Sequence, residues 1–340
     1  MTQLRILIII PCYNEGNVIL ENLERLSRVQ DSLRTKYRQP IDLLIIDDGS
    51  EDNCQQILEQ WHSIHPNRGY VIHEKQNKGY GATLRTGFSY SQEKGYDWVI
   101  TFDMDGQHAS DYLSKFIEAI WAENDKNYST DLFSGTRYAI SDLFWHSPWK
   151  DRFLVNSIIT AVLSHFGLEL TDSFCGMKAH RVDSIKDLHL TLTGYEMPIE
   201  MLLKGQQLGW KIKEIPIPLI YKNRETILTE ERSHRFIFDR AEHRLKRYCQ
   251  LIKTMNPRAS FLKIKPLLDI YKNSFLEYEK ITKENFKEIQ SKIDRQIRTL
   301  FNSSHIQITT QEIERCCCFS TSWCSPTCEI YLMCKLNSQK

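Results

Sequence analysis

Apolar and polar positions in the first hundred residues follow a regular alternation. Apolar runs at 5–10 (RILIII), 41–48 (IDLLIIDD), 70–74 (YVIHE) and 98–105 (WVITFDMD) are separated by stretches of helical period. Those stretches begin near Asn17, after the GSEDN turn at 49–53, and over about 80–93. Strands apolar on both faces must be covered on both faces. The pattern therefore predicts an α/β chain with a mostly parallel central sheet and helices on each side. In such sheets ligands gather beyond the carboxyl ends of the strands. The polar clusters PCYNEG (11–16), DDGSEDN (47–53), NKGYGATLRTGF (77–88) and DMDGQH (103–108) all lie at such ends.

Beyond residue 130 the alternation loosens. TDLFSGTRY (130–138) reads as a strand and loop, 151–168 as a helix, and GWKIKEIPIPLIY (209–221) as a strand stopped by prolines, so the sheet becomes mixed here. Residues 233–255 are helical and basic, and Pro257 marks a candidate boundary. A Lys-rich helical stretch then leads into CCCFSTSWCSPTC. The chain is read as an α/β unit at 1–225, a basic amphipathic segment at 226–256, and a helical, cysteine-rich extension at 257–340.

Composition narrows the class. At 340 residues with 26% charged side chains, the chain is globular, and its net charge of +1 excludes a polyanion binder, so no nucleic-acid partner is expected. Any basic surface must be local. MTQLRILIII leads into PCYNE without a small-residue cleavage site and reads as a first strand. The apolar stretch 153–168 is interrupted by Asn156, Ser157, Ser164 and His165 and is too short to span a bilayer. Four of ten cysteines are scattered through the first 250 residues without framework spacing, which suits a reducing compartment. The other six, at 316, 317, 318, 324, 328 and 334, lack paired CxxC spacing, so they do not form a zinc ribbon. They are either an unstructured tail or an acylation site.

The clusters carry the chemistry. Asp103 and Asp105 are two apart, so in a strand they share a face and repel unless a cation sits between them. Hard oxygen ligands suit Mg or Mn, with Asp105 and Gln107 as direct ligands. PCYNEG and DDGSEDN are also what a helix cap requires, so either alone could be a cap. Asp48 could accept hydrogen bonds from a base or ribose, and Tyr13 could stack on the base. The three glycines of 77–88 fit neither GxGxxG nor GxxxxGK[ST], leaving a tight strand-to-helix turn as an equal reading, although Lys78 could face a diphosphate. The helix at 151–168 has a wet and an apolar face, open to core packing or in-plane membrane contact. RAEHRLKRY (240–248) is either a solvated helix face or an anionic-lipid contact.

Seven motifs occur in order: PCYNE, DDGS, NKGYGATLRTGF, DMDGQH, GTRY, DSFCGMKAHR and GYEMPIEMLLKGQQLGWKIKEIPI. Over residues 5 to about 225 this set resembles the family 2 glycosyltransferases, in particular the dolichol-phosphate mannose synthase-like, polyprenyl-phosphate branch. The resemblance implies a GT-A fold and an inverting transferase that uses a nucleotide-sugar donor, GDP- or UDP-linked. By motif position Pro11, Tyr13, Glu15, Asp48, Lys78 and Asp103 would hold the donor, and Asp103, Asp105 and Gln107 the metal. Asp105 would also be catalytic, together with Arg137, Arg152 and Arg224 gripping phosphates. DSFCGMKAHR corresponds to the acceptor-side loop, and Glu196 and Glu200 match the family's acidic helix. A polyprenyl-phosphate acceptor implies peripheral contact with the cytoplasmic face of a membrane, with room for a membrane-protein partner. ETILTEERS follows Arg224 where the branch has a Gly and Ser-Lys run, and Asn156 stands where it often has serine. A hydroxyl acceptor therefore stays open. It would need a base, for which Glu196 and Asp172 are the candidates, each with a structural alternative as surface pair or cap.

Overall fold

The computed structural model describes residues 4–16, 18–104, 108–124, 130–143, 149–220, 234–256, 259–260 and 262–303. The expected alternation is present as β1 (Ile6–Cys12), α1 (Ile19–Tyr37), β2 (Ile41–Asp47), α2 (Cys54–Ile64), β3 (Gly69–His73), α3 (Tyr80–Glu93) and β4 (Trp98–Thr101). The chain continues with α4 (Leu113–Asn124), β5 (Leu132–Thr136), α5 (Lys150–His165), β6 (Lys178–Arg181), α6 (Val182–Ile185), α7 (Met197–Gln207) and β7 (Ile212–Pro216). Three helices follow, α8 (His234–Met255), α9 (Ile264–Glu277) and α10 (Phe286–Ser303).

The strands form a seven-stranded sheet in the order β3-β2-β1-β4-β6-β5-β7. Every pairing is parallel except those of β6, which runs against both β4 and β5. The side-chain period of two sends alternate residues of β1 to different cores. Ile6, Ile8 and Ile10 pack with α1, α2 and α4, while Leu7 and Ile9 pack with α3, α6 and α7 on the opposite face. All five are fully buried. At about 1.5–3 kcal/mol per fully buried aliphatic side chain, this double burial is what the unbroken ILIII run stabilises. The glycines of 77–88 serve packing. Gly79 has φ +97°, and a Cβ on Gly79 or Gly81 would strike the backbone at 192–194.

A third core lies beyond the β7 side. Residues 153–163 of α5 are all buried, so the core-packing reading of this helix holds along its middle. α8, α9 and α10 close over it, and Leu245, Ile252, Tyr271, Phe286 and Ile293 join Phe153, Ile158 and Val162 in one cluster. Lys150 Nζ donates to the carbonyls of Phe275 (2.9 Å) and Tyr278 (3.0 Å), tying the start of α5 to the end of α9. The composition shift at Pro257 therefore does not coincide with a break between cores. Among the described residues no helix is long and apolar enough to cross a membrane.

Candidate active site

Six strands run in one direction, so the chain leaves β1, β2, β4 and β5 at a common edge, and β6, running the other way, starts there. Register fixes the meeting points, since Cys12 pairs with Asp47 and Thr101 with Lys178. A cavity of about 750 Å³ opens at this edge. Pro11, Tyr13, Glu15, Asp48, Asp103, Arg137 and Arg152 all line it, so the structure gathers seven of the expected site residues at one place.

Asp48 is buried, and its carboxylate is committed to backbone. Oδ1 accepts from Lys78 N–H and Oδ2 from Gly79 N–H, both at 2.8 Å. It therefore fixes the turn that opens α3, whose Asn77 and Gly79 line the cavity. The Lys78 side chain turns to Glu74 (2.5 Å) and is not among the lining residues. Next door, Asp47 accepts from Ser50 N–H (3.0 Å) and contacts His73 Nδ1 (3.0 Å), holding the DDGS turn.

Asp103 follows β4 and accepts a hydrogen bond from the Tyr80 hydroxyl at 3.1 Å. Its approach depends on a glycine, because a Cβ on Gly176 would lie 1.9 Å from Asp103 Oδ2. Tyr80 is stacked under Tyr195, with ring centres 5.1 Å apart and planes 14° from parallel. Asp103 thus offers hard carboxylate oxygen on the cavity wall, the chemistry a Mg or Mn ligand needs. Asp105 and Gln107, the other expected metal ligands, lie outside the described residues, as do Arg224 and the cysteine cluster.

At the other end Arg137, directly after β5, is held by Asp172. Nε donates to Oδ2 (2.7 Å) and Nη2 to Oδ1 (3.0 Å), and Asn156 Nδ2 (2.9 Å) and Phe174 N–H (3.1 Å) also donate to Oδ1. Burial works to raise the Asp172 pKa, but the charge and hydrogen bonds of Arg137, with the nearby Lys178, outweigh it and leave it lowered. Glu214 of β7 accepts from the backbone N–H of Thr171 (2.8 Å) and Asp172 (3.1 Å), bracing the segment that presents this carboxylate. Arg152, in the first turn of α5, lies 4.6 Å from the Trp149 ring centre.

Glu196 lines the cavity at the start of α7 and is ion-paired to Arg247 of α8. Glu200 has a bracing role. Its carboxylate accepts from Thr191 N–H (3.0 Å), Leu192 N–H (2.9 Å) and Lys204 Nζ (2.8 Å), fixing the backbone on which Gly79 and Gly81 pack. Burial pushes Cys175 up to about 12, lowers Lys178, and pushes His180 down to about 3.

Several lining residues were not anticipated. Tyr80, His108, Lys178 and His180 lie within quoted motifs, but only their register at the sheet edge assigns them to the cavity. Arg240, Arg244 and Arg247 carried a signal, the basic stretch 240–248, which had only a solvated or lipid-facing reading. The structure turns these three toward the cavity.

Comparison with known proteins agrees with this picture. The family model "Glycosyl transferase family 2" matches residues 7–188. The chain is 28% identical to the polyprenol monophosphomannose synthase of Mycolicibacterium smegmatis, over 63% of its own length and 76% of the relative's. It is 31% identical to the UDP-N-acetylglucosamine–dolichyl-phosphate N-acetylglucosaminyltransferase of Methanococcus voltae, over 65% and 88% respectively. A mannosyltransferase from Pyrobaculum calidifontis, solved with GDP-Man and Mn2+, superposes with a TM-score of 0.51 at 13% identity, covering 93% of this chain and 84% of that one. The mannosyl-3-phosphoglycerate synthase of Rubrobacter xylanophilus gives 0.50 at 13%, covering 77% and 79%. These likenesses show a GT-A fold.

Proposed function

The chain belongs to glycosyl transferase family 2 and is a glycosyltransferase of GT-A fold, and from that premise we propose that it moves a sugar from a GDP- or UDP-linked donor to a polyprenyl phosphate at a membrane surface, with inversion. The relatives named for polyprenol and dolichyl phosphate support this choice of acceptor. The observation that carries it is the division of one cavity into two chemical halves. Carboxylates and backbone follow β1, β2 and β4, and arginines gather after β5 and at the start of α5.

Pro11, Tyr13, Glu15 and Asp48 take the nucleoside, with Asp48 acting through the turn it holds. Asp103, with Asp105 and Gln107, would hold Mg or Mn, which when bound neutralises the charge developing on the departing diphosphate. Arg137, Arg152 and Arg224 grip phosphate oxygens. Arginine suits this because its planar fork donates two hydrogen bonds at once and stays charged. The acceptor oxygen is already an anion, so it attacks the anomeric carbon without an enzymic base. The bond to the leaving phosphate breaks on the opposite face. Both carboxylates that could serve a hydroxyl acceptor are already engaged, Asp172 by Arg137 and Glu196 by Arg247. Peripheral attachment to the cytoplasmic face follows from the acceptor, and a membrane-protein partner would be compatible with it.

The test is to incubate the protein with labelled nucleotide sugars, Mg or Mn, and lipid extract, and to follow label into organic solvent. A glycosyl phosphate releases its sugar in mild acid. A water-soluble or acid-stable product rejects the lipid-phosphate acceptor.

A further inference from the structure

We propose that Arg240, Arg244 and Arg247 of α8 form a binding subsite for a phosphate monoester in the wall of the cavity, taking the head of the acceptor. The proposal rests on the lipid-phosphate reading above and adds to it a helix that follows the matched region of the chain.

The spacing places the three guanidinium groups on one face, since positions i, i+4 and i+7 lie on one side of a helix. Packing sets where that face points. Ala241, Leu245, Tyr248, Cys249 and Ile252 are buried in the core shared with α5 and α9. Glu242 and Lys246 pair with each other, and Lys246 stays largely in solvent. All three arginines line the cavity.

Their present partners leave capacity for an anion. Arg247 is bound to Glu196. Arg244 Nη1 lies 3.8 Å from Asp151 Oδ2, too long for a hydrogen bond, and that nitrogen is buried without a hydrogen-bond partner among the described residues. Arg240 is half-buried and makes no ion pair with any described residue. A buried charge-bearing donor left unsatisfied is costly, and phosphate oxygens would satisfy it. The charge balance of the wall points the same way. Among the described lining residues six cationic side chains, Arg137, Arg152, Lys178, Arg240, Arg244 and Arg247, face four carboxylates, Glu15, Asp48, Asp103 and Glu196, with Asp172 and Asp151 behind Arg137 and Arg244. Three of those carboxylates lie at the donor end. Arg240, without an ion pair to any described residue, and Arg244, near Asp151 at the start of α5, lie on the wall formed by α8, where the second anion of the reaction can bind.

Titration calorimetry on the full chain tests this with geranyl phosphate, inorganic phosphate, and GDP or UDP with Mn2+, each run separately. Arg240→Gln should weaken geranyl phosphate roughly tenfold or more, as expected for loss of a charge-assisted bond, and leave nucleotide affinity unchanged. Arg240→Lys should fall between, since it keeps charge and loses the fork. Arg244→Gln should weaken geranyl phosphate in the same sense, and thermal melting of each variant reports its folding. If the wild type binds geranyl phosphate and all three variants bind it equally well, the subsite is refuted while the lipid-phosphate reading stands. A fall in nucleotide affinity instead would assign these arginines to the donor and overturn the proposal. If the wild type binds nucleotide but not geranyl phosphate, or binds inorganic phosphate alone, the lipid-phosphate reading itself fails.

Discussion

Arg137 and Asp172 face each other as a fork on a carboxylate, with Nε to Oδ2 at 2.7 Å and Nη2 to Oδ1 at 3.0 Å, in a place where Asp172 has no solvent exposure. They are 35 residues apart, one after β5 and the other ahead of β6. The pair fixes the guanidinium plane before any ligand arrives, which is positioning rather than proton transfer.

Asp172→Asn should therefore destabilise the fold by on the order of 3 kcal/mol, because it leaves a buried guanidinium short of its counter-charge. Activity and melting temperature should fall together. A general base would behave differently, so a variant that melts like wild type yet turns over a hundredfold more slowly would make Asp172 a base.

The first four strands were legible because β1, β2 and β4 are largely apolar runs and the helices between them carry an apolar stripe. Ile6 to Ile10 shows this directly. β6 was not legible, since KAHR carries two cations and a histidine and reads as loop. It becomes a strand because β4 and β5 both pair with it. The donor-side residues were readable for the same reason as the strands, since each sits within about five positions past an apolar run. The inward turn of Arg240, Arg244 and Arg247 could not be read. A basic helix face looks the same in sequence whether it meets water, lipid or a cavity, and only burial of the opposite stripe decides.

Metal dependence should follow from the oxygen donors. We expect excess chelator to abolish transfer and Asp105→Asn to reduce turnover roughly a hundredfold or more, the scale of losing a main electrostatic stabiliser. Tyr80→Phe removes the hydroxyl that bonds Asp103 at 3.1 Å. It should weaken Mn2+ binding in the presence of GDP, measured by calorimetry, while leaving the melting temperature near wild type. Full transfer in chelator would refute the metal role.

The catalytic unit should end near Ser303 and not near Met255. Truncation after Ser303 removes the cysteine-rich tail, which carries no recognised motif, and should preserve both melting temperature and transfer in detergent. Truncation after Met255 would remove Tyr271, Phe286 and Ile293 and bare Phe153, Ile158 and Val162 of α5, which are buried against them. It should yield aggregated or strongly destabilised protein. A soluble, fully active chain ending at Met255 would show that α9 and α10 are dispensable.

His180 should make the fold acid-sensitive. Its ring is buried against Phe88, with centroids 5.3 Å apart, and Nδ1 has no hydrogen-bond partner among the described residues. Burial, with Lys178 adding repulsion, pushes its pKa down to about 3, whereas an unfolded histidine titrates near 6.5. Between those values the unfolded chain binds a proton that the folded chain refuses, so stability falls as pH drops. Above about 6.5 both states are neutral at this residue and the contribution is flat. The slope for one proton is about 1.4 kcal/mol per pH unit. Between pH 6.5 and 4.5, His180→Phe should therefore lose on the order of 2–3 kcal/mol less stability than wild type. Urea unfolding at both pH values measures this directly, and the comparison cancels the carboxylates that titrate in both proteins. Parallel pH profiles for the two proteins would show that His180 accepts a proton without unfolding.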